Sequence, residues 1–312
     1  MAHSIQGKTA IVTGAGSGIN LAFAQQLLDG GCNVLFADVS LRPEAQQVLA
    51  AHANSQPSLG RAVFQETDVR DWKQLQRMFE RAEAEFGEVQ IVCPGAGVYE
   101  PNFSNFWYPP GTPQSRDTVE DGRYALLDIN LVHPIRTSQI AISRFLKSQS
   151  GPKTIIIISS TSAQDTCFAT PMYDASKHAT TGFVRALSKL HRVGIRIAAV
   201  APGIIKTPLY TDNPEKLAMI DPMSDIWVEP SEVATVMMAL IERDSICSKI
   251  SEAATGKQDI PITGGTILEI TKNHARLVTA YHDPGPSGAG ALASNAAESE
   301  EIALSRLVPG WG

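Results

Sequence analysis

Short, unbroken apolar runs alternate with stretches of helical periodicity along most of this 312-residue chain, and no other feature limits its fold so sharply. TAIVTG (9–14), NVLFAD (33–38), AVFQETDV (62–69), VQIVCPGAG (89–97), TIIIISS (154–160) and IRIAAVAPG (195–203) read as strands, with a last strand expected within 259–270. Between them, 19–31, 42–53, 71–87, 118–148 and 173–192 read as helices, the third opened by Asp71 as a cap. Runs that are continuous rather than alternating belong to strands buried on both faces, so the pattern predicts an α/β fold with a doubly wound parallel sheet. In such a sheet the ligand crevice lies beyond the carboxyl ends of the strands. The rhythm covers residues 1–275 as one domain; the tail, 276–312, contains the low-complexity stretch 283–301 and reads as largely disordered.

Two further segments interrupt the rhythm just after strands. Residues 99–117 are rich in proline and aromatics, and residues 207–230 form a second long connection. Both are expected to border the crevice. Phe103, Phe106, Trp107 and Tyr108 in the first, with Tyr210, Met219, Met223 and Trp227 in the second, suit a bulky apolar substrate. Anchoring of long surface loops explains the same residues equally well.

Bulk properties remove several function classes. A net charge of −6 without a basic stripe argues against nucleic acid. No apolar run reaches the roughly 20 residues needed to cross a bilayer, and the N-terminus lacks a basic segment followed by an apolar one. Cys32, Cys93, Cys167 and Cys247 are widely spaced without a CxxC, which suits free thiols in a reducing, cytoplasmic setting. The histidines show no metal-ligand spacing, so no metal is expected.

The chemistry is carried by a constellation. TGAGSGIN (13–20) joins the first strand to the first helix, where orphan N–H groups and the helix dipole favour a phosphate. Its spacing departs from G-x-G-x-x-G because Ile19 stands where the third glycine belongs. Asp38 closes the second strand about 20 residues on, where a carboxylate bonds ribose hydroxyls and repels a 2′-phosphate. Ser17 stands where a basic residue would serve NADP, and Arg42 is the only nearby base, so NAD is the expected cofactor. Tyr173 and Lys177, four apart in YDASK, share a helix face. An ammonium beside a phenol lowers a pKa normally near 10 and equips the tyrosine for proton transfer. Ser160 ends the fifth strand, and Asn130 lies in LLDINL on the preceding helix.

Taken with TDV (67–69), GAG (95–97) and PGIIKT (202–207), these motifs resemble the short-chain dehydrogenase/reductase family over roughly residues 7–270. Within it, the pattern is similar to fungal secondary-alcohol dehydrogenases and the prostaglandin-dehydrogenase-like branch. The resemblance implies a Rossmann fold, with Tyr173 as general acid/base and Ser160 bonding the substrate oxygen. It implies that Lys177 holds the nicotinamide ribose and depresses the tyrosine pKa, and that Asn130 positions a water. Gly14, Ser17, Gly18 and Ile19 would approach the pyrophosphate, Asp68 and Val69 the adenine, and Gly97 the adenine ribose. Pro202, Gly203, Ile205 and Thr207 would line the nicotinamide side, where Tyr173 and Lys177 also contact the cofactor. A homodimer or homotetramer built through helices 118–148 and 173–192 is expected as well.

Two positions depart from the family pattern. Pro94-Gly95-Ala96-Gly97 stands for N-N-A-G and removes an amide that braces the sheet; Asn20 replaces a glycine that permits close helix–strand packing. Asparagine is small and its amide can bond a local backbone group or a phosphate. The expected activity is hydride transfer between NAD and a bulky apolar secondary alcohol or ketone, polyketide-like or terpenoid first and fatty or sugar alcohol second, in secondary metabolism. A non-redox cyclase or isomerase on the same fold and a dinucleotide-sensing regulator are the alternatives. The complete Asn130, Ser160, Tyr173 and Lys177 set argues against both.

Overall fold

The computed structural model describes residues 3–54, 58–148, 150–249, 258–280, 301–302 and 304–308. Its strands are β1 (Thr9–Thr13), β2 (Asn33–Asp38), β3 (Ala62–Glu66), β4 (Ile91–Cys93), β5 (Lys153–Ile158), β6 (Ile195–Pro202), β7 (Ser245–Cys247), β8 (Asp259–Pro261), β9 (Ile267–Thr271) and β10 (His274–Leu277). The α-helices are α1 (Gly18–Asp29), α2 (Pro43–Ala51), α3 (Trp72–Phe86), α4 (Ala125–Leu127), α5 (His133–Phe145), α6 (Pro171–Ala186), α7 (Pro208–Thr211), α8 (Pro214–Leu217) and α9 (Pro230–Glu242). Among the described residues one sheet runs β10-β9-β6-β5-β4-β1-β2-β3, parallel throughout except where β10 turns back on β9. This is the doubly wound α/β fold, in a single domain.

The unbroken apolar strands have a direct physical cause. Along β1, Ala10 and Val12 enter one core with α1 and α9, while Ile11 enters the other with α3 and α5. Along β5, Ile156 faces the first core and Ile155 and Ile157 the second. β1 and β5 therefore bury both of their side-chain rows, and a polar residue on either would need its own partner. The strand order reverses between β1 and β4, and a parallel sheet opens its ligand crevice at that point.

Several boundaries differ from the sequence pattern. The fourth strand was expected over 89–97 but pairs only over Ile91–Cys93. Pro94 has no N–H to donate, and the chain leaves the ladder there. The helix expected over 118–148 starts at Ala125 and passes through a π-helical turn, Asp128–Val132, before α5. That irregular turn contains Asn130, and such turns often mark functional positions. The single strand expected within 259–270 is two: β8 pairs with β7 in a separate ribbon, whereas β9 joins the main sheet. Helix α9 follows no sequence expectation, although Pro230 at its first turn and the reciprocal Glu229–Glu232 capping box are start signals. Most of the stretch 283–301 lies outside the described residues. At the end of the tail, Glu301 pairs with Arg192 and Leu307 packs on the second core.

Candidate active site

The crevice is a cavity of about 940 Å³. On one side the turn after β1 lies against α1. Gly14 has φ 71°, and a Cβ there would come 2.8 Å from Ala96 Cα, so only glycine allows this close approach. Ser17 occupies the N-cap in extended conformation without bonding the helix end through its side chain. Ser17, Gly18 and Ile19 line the cavity, so the positive end of a twelve-residue helix faces it without a side-chain acceptor. Asp38, at the end of β2, accepts from Gly16 N at 2.8 Å and lines the same wall. Arg42 is ion-paired with Asp212 of the 207–230 segment. Asp68 and Val69 line the cavity, and Arg70 grips both oxygens of Asp68, holding that carboxyl below its usual range.

The rim between β1 and β4 is held by side chains in place of strand pairing. The Ala96 N–H donates to Thr13 Oγ1 at 3.1 Å, and the Thr13 hydroxyl lies 3.1 Å from His133 Nε2. His133 Nδ1 is 3.0 Å from the Ile129 carbonyl, which only accepts, so Nδ1 carries the proton and Nε2 receives the threonine's. Burial pushes His133 down to about 4, which keeps it neutral. Asn20 Nδ2 donates to Gly95 O at 2.9 Å from the other side. A Cβ on residue 95 would fall 2.1 Å from Asn20 Oδ1. The two departures from the family pattern thus meet in space: the asparagine amide that Pro94 lacks is supplied by Asn20, and Gly95 makes room for it. Asn20 is 8% exposed and lines the cavity.

On the other side of the crevice, Ser160, Tyr173 and Lys177 converge on the cavity, together with Gly97, Pro202, Gly203, Ile205 and Thr207. Asn130 sits behind the wall, outside the cavity lining. Its amide bonds the Val98 N–H and C=O, both at 2.8 Å, and it reaches Ser176 Oγ at 3.4 Å. The side chain behaves as a substitute strand partner for residue 98.

The expected lowering of the tyrosine pKa is not what the structure holds. Enclosure in the cavity wall pushes the Tyr173 phenol above its ordinary value, with hydrogen bonding from Ser160 opposing the shift. Lys177 Nζ lies 5.5 Å from the Tyr173 ring centroid and donates to Ile158 O at 2.9 Å, so its charge is aimed at a backbone carbonyl. Burial brings Lys177 down to about 8.

The 99–117 insertion holds the ends of the site's helices. The Thr170 side chain makes no cap to α6; Glu100 Oε2 accepts from Tyr173 N at 2.9 Å, and Oε1 from Phe106 N at 3.2 Å. At α4, Asp117 accepts from Ala125 N, while Ser104 accepts from Leu126 N and donates to Asp117. One connection therefore caps both the helix carrying Tyr173 and the one leading to Asn130. Sequence reasoning missed Glu100 because a cap delivered from 73 residues away leaves no periodic trace. Of the expected border aromatics and methionines, Phe103, Tyr210 and Met219 line the cavity, joined by Tyr99. Phe106 and Trp107 are outside its lining, 53% and 44% exposed, with Trp107 bonded to Phe168 O. Met223 points to solvent and Trp227 packs on Tyr210.

The family model described as short chain dehydrogenase matches residues 8–218. The rat (Rattus norvegicus) protein named 15-hydroxyprostaglandin dehydrogenase [NAD(+)] is 29% identical over 272 residues, covering 81% of this chain and 93% of its own length. Human (Homo sapiens) 3-hydroxyacyl-CoA dehydrogenase type-2 is 28% identical, covering 77% and 91%. Among solved structures, levodione reductase superposes with a TM-score of 0.62 at 22% identity, over 76% of this chain and 91% of that one, which shows the fold alone.

Two measurements test this geometry. Gly95→Ala forces a methyl group onto Asn20 and is expected to cost about 1–3 kcal/mol in denaturant unfolding. Adding Asn20→Gly to Gly95→Ala should recover part of that loss, and additive effects would show that the two residues do not compete for one space. Lys177 has a depressed folded pKa, so its buried charge costs stability below about pH 8, and the cost fades as pH rises towards 10.5. Lys177→Met should therefore raise unfolding free energy at pH 7, lose that advantage between about pH 8 and 10.5, and lose activity throughout.

Proposed function

Because this chain belongs to the short-chain dehydrogenase family, we propose that it is an NAD-dependent oxidoreductase acting on the carbinol carbon of a bulky, largely apolar secondary alcohol, or on the matching ketone. The observation that carries the reading is one cavity with Asp38 and the uncapped α1 terminus at one end and Ser160, Tyr173 and Lys177 at the other. The residues fit a nicotinamide dinucleotide. The α1 terminus and the close-packed Gly14 suit a pyrophosphate, and Asp38, already held by Gly16, suits a ribose diol. Pro202, Gly203, Ile205 and Thr207 suit the nicotinamide end. Bound there, NAD supplies the hydride acceptor and a positive charge in the same cavity.

In this reading Ser160 orients the substrate oxygen and Tyr173 accepts the hydroxyl proton. Lys177, whose Nζ lies 5.5 Å from the Tyr173 ring centroid, would hold the nicotinamide ribose and favour the phenolate by its charge. Asn130 contributes by fixing Val98 and the π turn. Tyr99, edge-on to Tyr173 at 4.6 Å, and Tyr210 exclude water from the reacting end. The NAD preference draws support from Asp38 and from Arg42, which its pair with Asp212 occupies. The rat relative carries NAD(+) in its name. Secondary metabolism remains the proposed setting, and four free cysteines suit the cytoplasm. No helix among the described residues is long and apolar enough to cross a membrane. A homodimer or homotetramer draws support from the outer face of α6, where Ala175, Ala179 and Gly182 leave room for close approach of a second helix.

Reduced-nicotinamide absorbance during a screen of secondary alcohols tests the activity. Tyr173→Phe should lower kcat by about 10²–10⁴ with cofactor affinity nearly unchanged. Wild-type turnover in that variant, or tighter titration of NADP than NAD to the native protein, contradicts the assignment. Light scattering should give twice or four times the 33.5 kDa chain mass.

A further inference from the structure

Just past β3 the cavity wall carries a carboxylate whose acceptor sites are already filled. The Thr67 N–H donates to the Asp38 carbonyl at 2.9 Å, so the turn 67–70 adjoins the strand end that carries Asp38. Asp68, Val69 and Arg70 all line the cavity from this turn. Three N–H groups of Arg70 cover both oxygens of Asp68. Oδ1 accepts from the Arg70 backbone N–H and from Nε, both at 3.0 Å. Oδ2 accepts from the same Nε at 3.1 Å and from Nη2 at 2.6 Å. A carboxylate offers about four lone-pair sites, two on each oxygen, and here each oxygen already has two donors within reach.

The turn is fixed by its surroundings. Gln74 Oε1 accepts from Asp68 N at 2.8 Å, Asp71 N donates to the Asp68 carbonyl at 3.0 Å, and the Asp71 side chain caps α3. Two further carboxylates attract Arg70, and both are engaged: Asp128 pairs with Arg123 at 3.3 Å, and Asp117 accepts from Ala125 N and Ser104 Oγ. The Asp68 and Arg70 side chains are 31% and 45% exposed, so the pair adds little to stability. Its consequence falls on what Asp68 can still accept. An amino group on a purine would be a neutral donor competing with a charge-assisted, two-pronged pair, and bonds of that kind are roughly twice as strong as neutral ones.

We propose that Arg70 withdraws the Asp68 carboxylate from recognition of the cofactor's base, so that the protein binds a nicotinamide dinucleotide without reading the 6-amino group of adenine. The inference rests on the reading that places a dinucleotide along this cavity with its adenine ribose at Asp38, which brings the base to the adjoining turn. The family resemblance implies that Asp68 meets the adenine; in this chain the residue two positions on takes that place at the carboxylate.

The test follows binding to the full chain by calorimetry, with NAD and with the dinucleotide in which purine replaces adenine, a hydrogen standing where the 6-amino group was. The native protein is expected to bind the two with less than about a threefold difference. Arg70→Met leaves both oxygens open to the ligand, and NAD should then bind about tenfold or more tightly than the purine dinucleotide. Arg70→Lys, a point charge that cannot span both oxygens, should give an intermediate preference. Adding Asp68→Ala to Arg70→Met should abolish the preference again. A larger preference for NAD in the native protein overturns the inference, because it shows the carboxylate accepting from the base despite Arg70. A ratio unchanged in both Arg70→Met and Arg70→Lys, whatever the separate affinities, overturns it too and leaves the pair as a brace of the turn. Failure of the native protein to bind either dinucleotide would instead overturn the cofactor reading, and the inference with it.

Discussion

A buried chain that leaves a sheet must still satisfy its backbone polar groups, and the site of this protein is built on one such departure. At Pro94 the fourth strand stops pairing, and the chain runs on beneath the crevice without a neighbour on the ladder. Three side chains take over: Asn20 bonds the Gly95 carbonyl, Thr13 the Ala96 N–H, and Asn130 both polar groups of Val98. Behind them neutral His133 links Thr13 to the π turn through Ile129. The crevice can stay open because these bonds hold its floor from below and from both sides. These bonds are half-buried, so loss of one partner leaves an atom only partly reachable by water, at a cost of about 1 kcal/mol.

The reactive side of the cavity is held against its own electrostatics. Burial raises the Tyr173 phenol and lowers Lys177, each shift disfavouring the charged form that proton transfer needs. Such strain persists only where surrounding structure fixes the groups firmly, and here α6 is fixed at its start by Glu100. Glu100 is fully buried and has φ 37°, a rare backbone conformation for a residue with a side chain. The insertion expected to border the crevice is also a brace for the helix that carries Tyr173 and Lys177. Its exposed aromatics, Phe106 and Trp107, pack on each other, and Trp107 packs on Phe168, outside the cavity wall.

The other connection, 207–230, spans both ends of the cavity. Asp212 pairs with Arg42 near the carboxylate of Asp38, whereas Lys216 and Tyr210 lie against Tyr99 at the reacting end. One segment thereby contacts both the Asp38 end and the Tyr173 end of the crevice. The Arg42–Asp212 pair is nearly half exposed on each side, so it contributes little to stability. Its effect is to hold the Arg42 guanidinium on Asp212.

The sequence alone determined the parallel sheet, because strands buried on two faces must be apolar in every position, and that signal is local. It likewise determined the glycine turn, Asp38 at a strand end, and the Tyr173–Lys177 pair on one helix face, since each depends on spacing within a single element. Tertiary structure decided what depends on residues remote in the chain. It paired Asn20 with Gly95 and Glu100 with the start of α6, and it placed Asn130 behind the wall. It also directed the Lys177 ammonium to Ile158, so that desolvation rather than a neighbouring charge governs the phenol. No periodicity encodes such contacts, because hydrogen bonds and dielectric surroundings depend on distances that exist only after the chain has closed on itself.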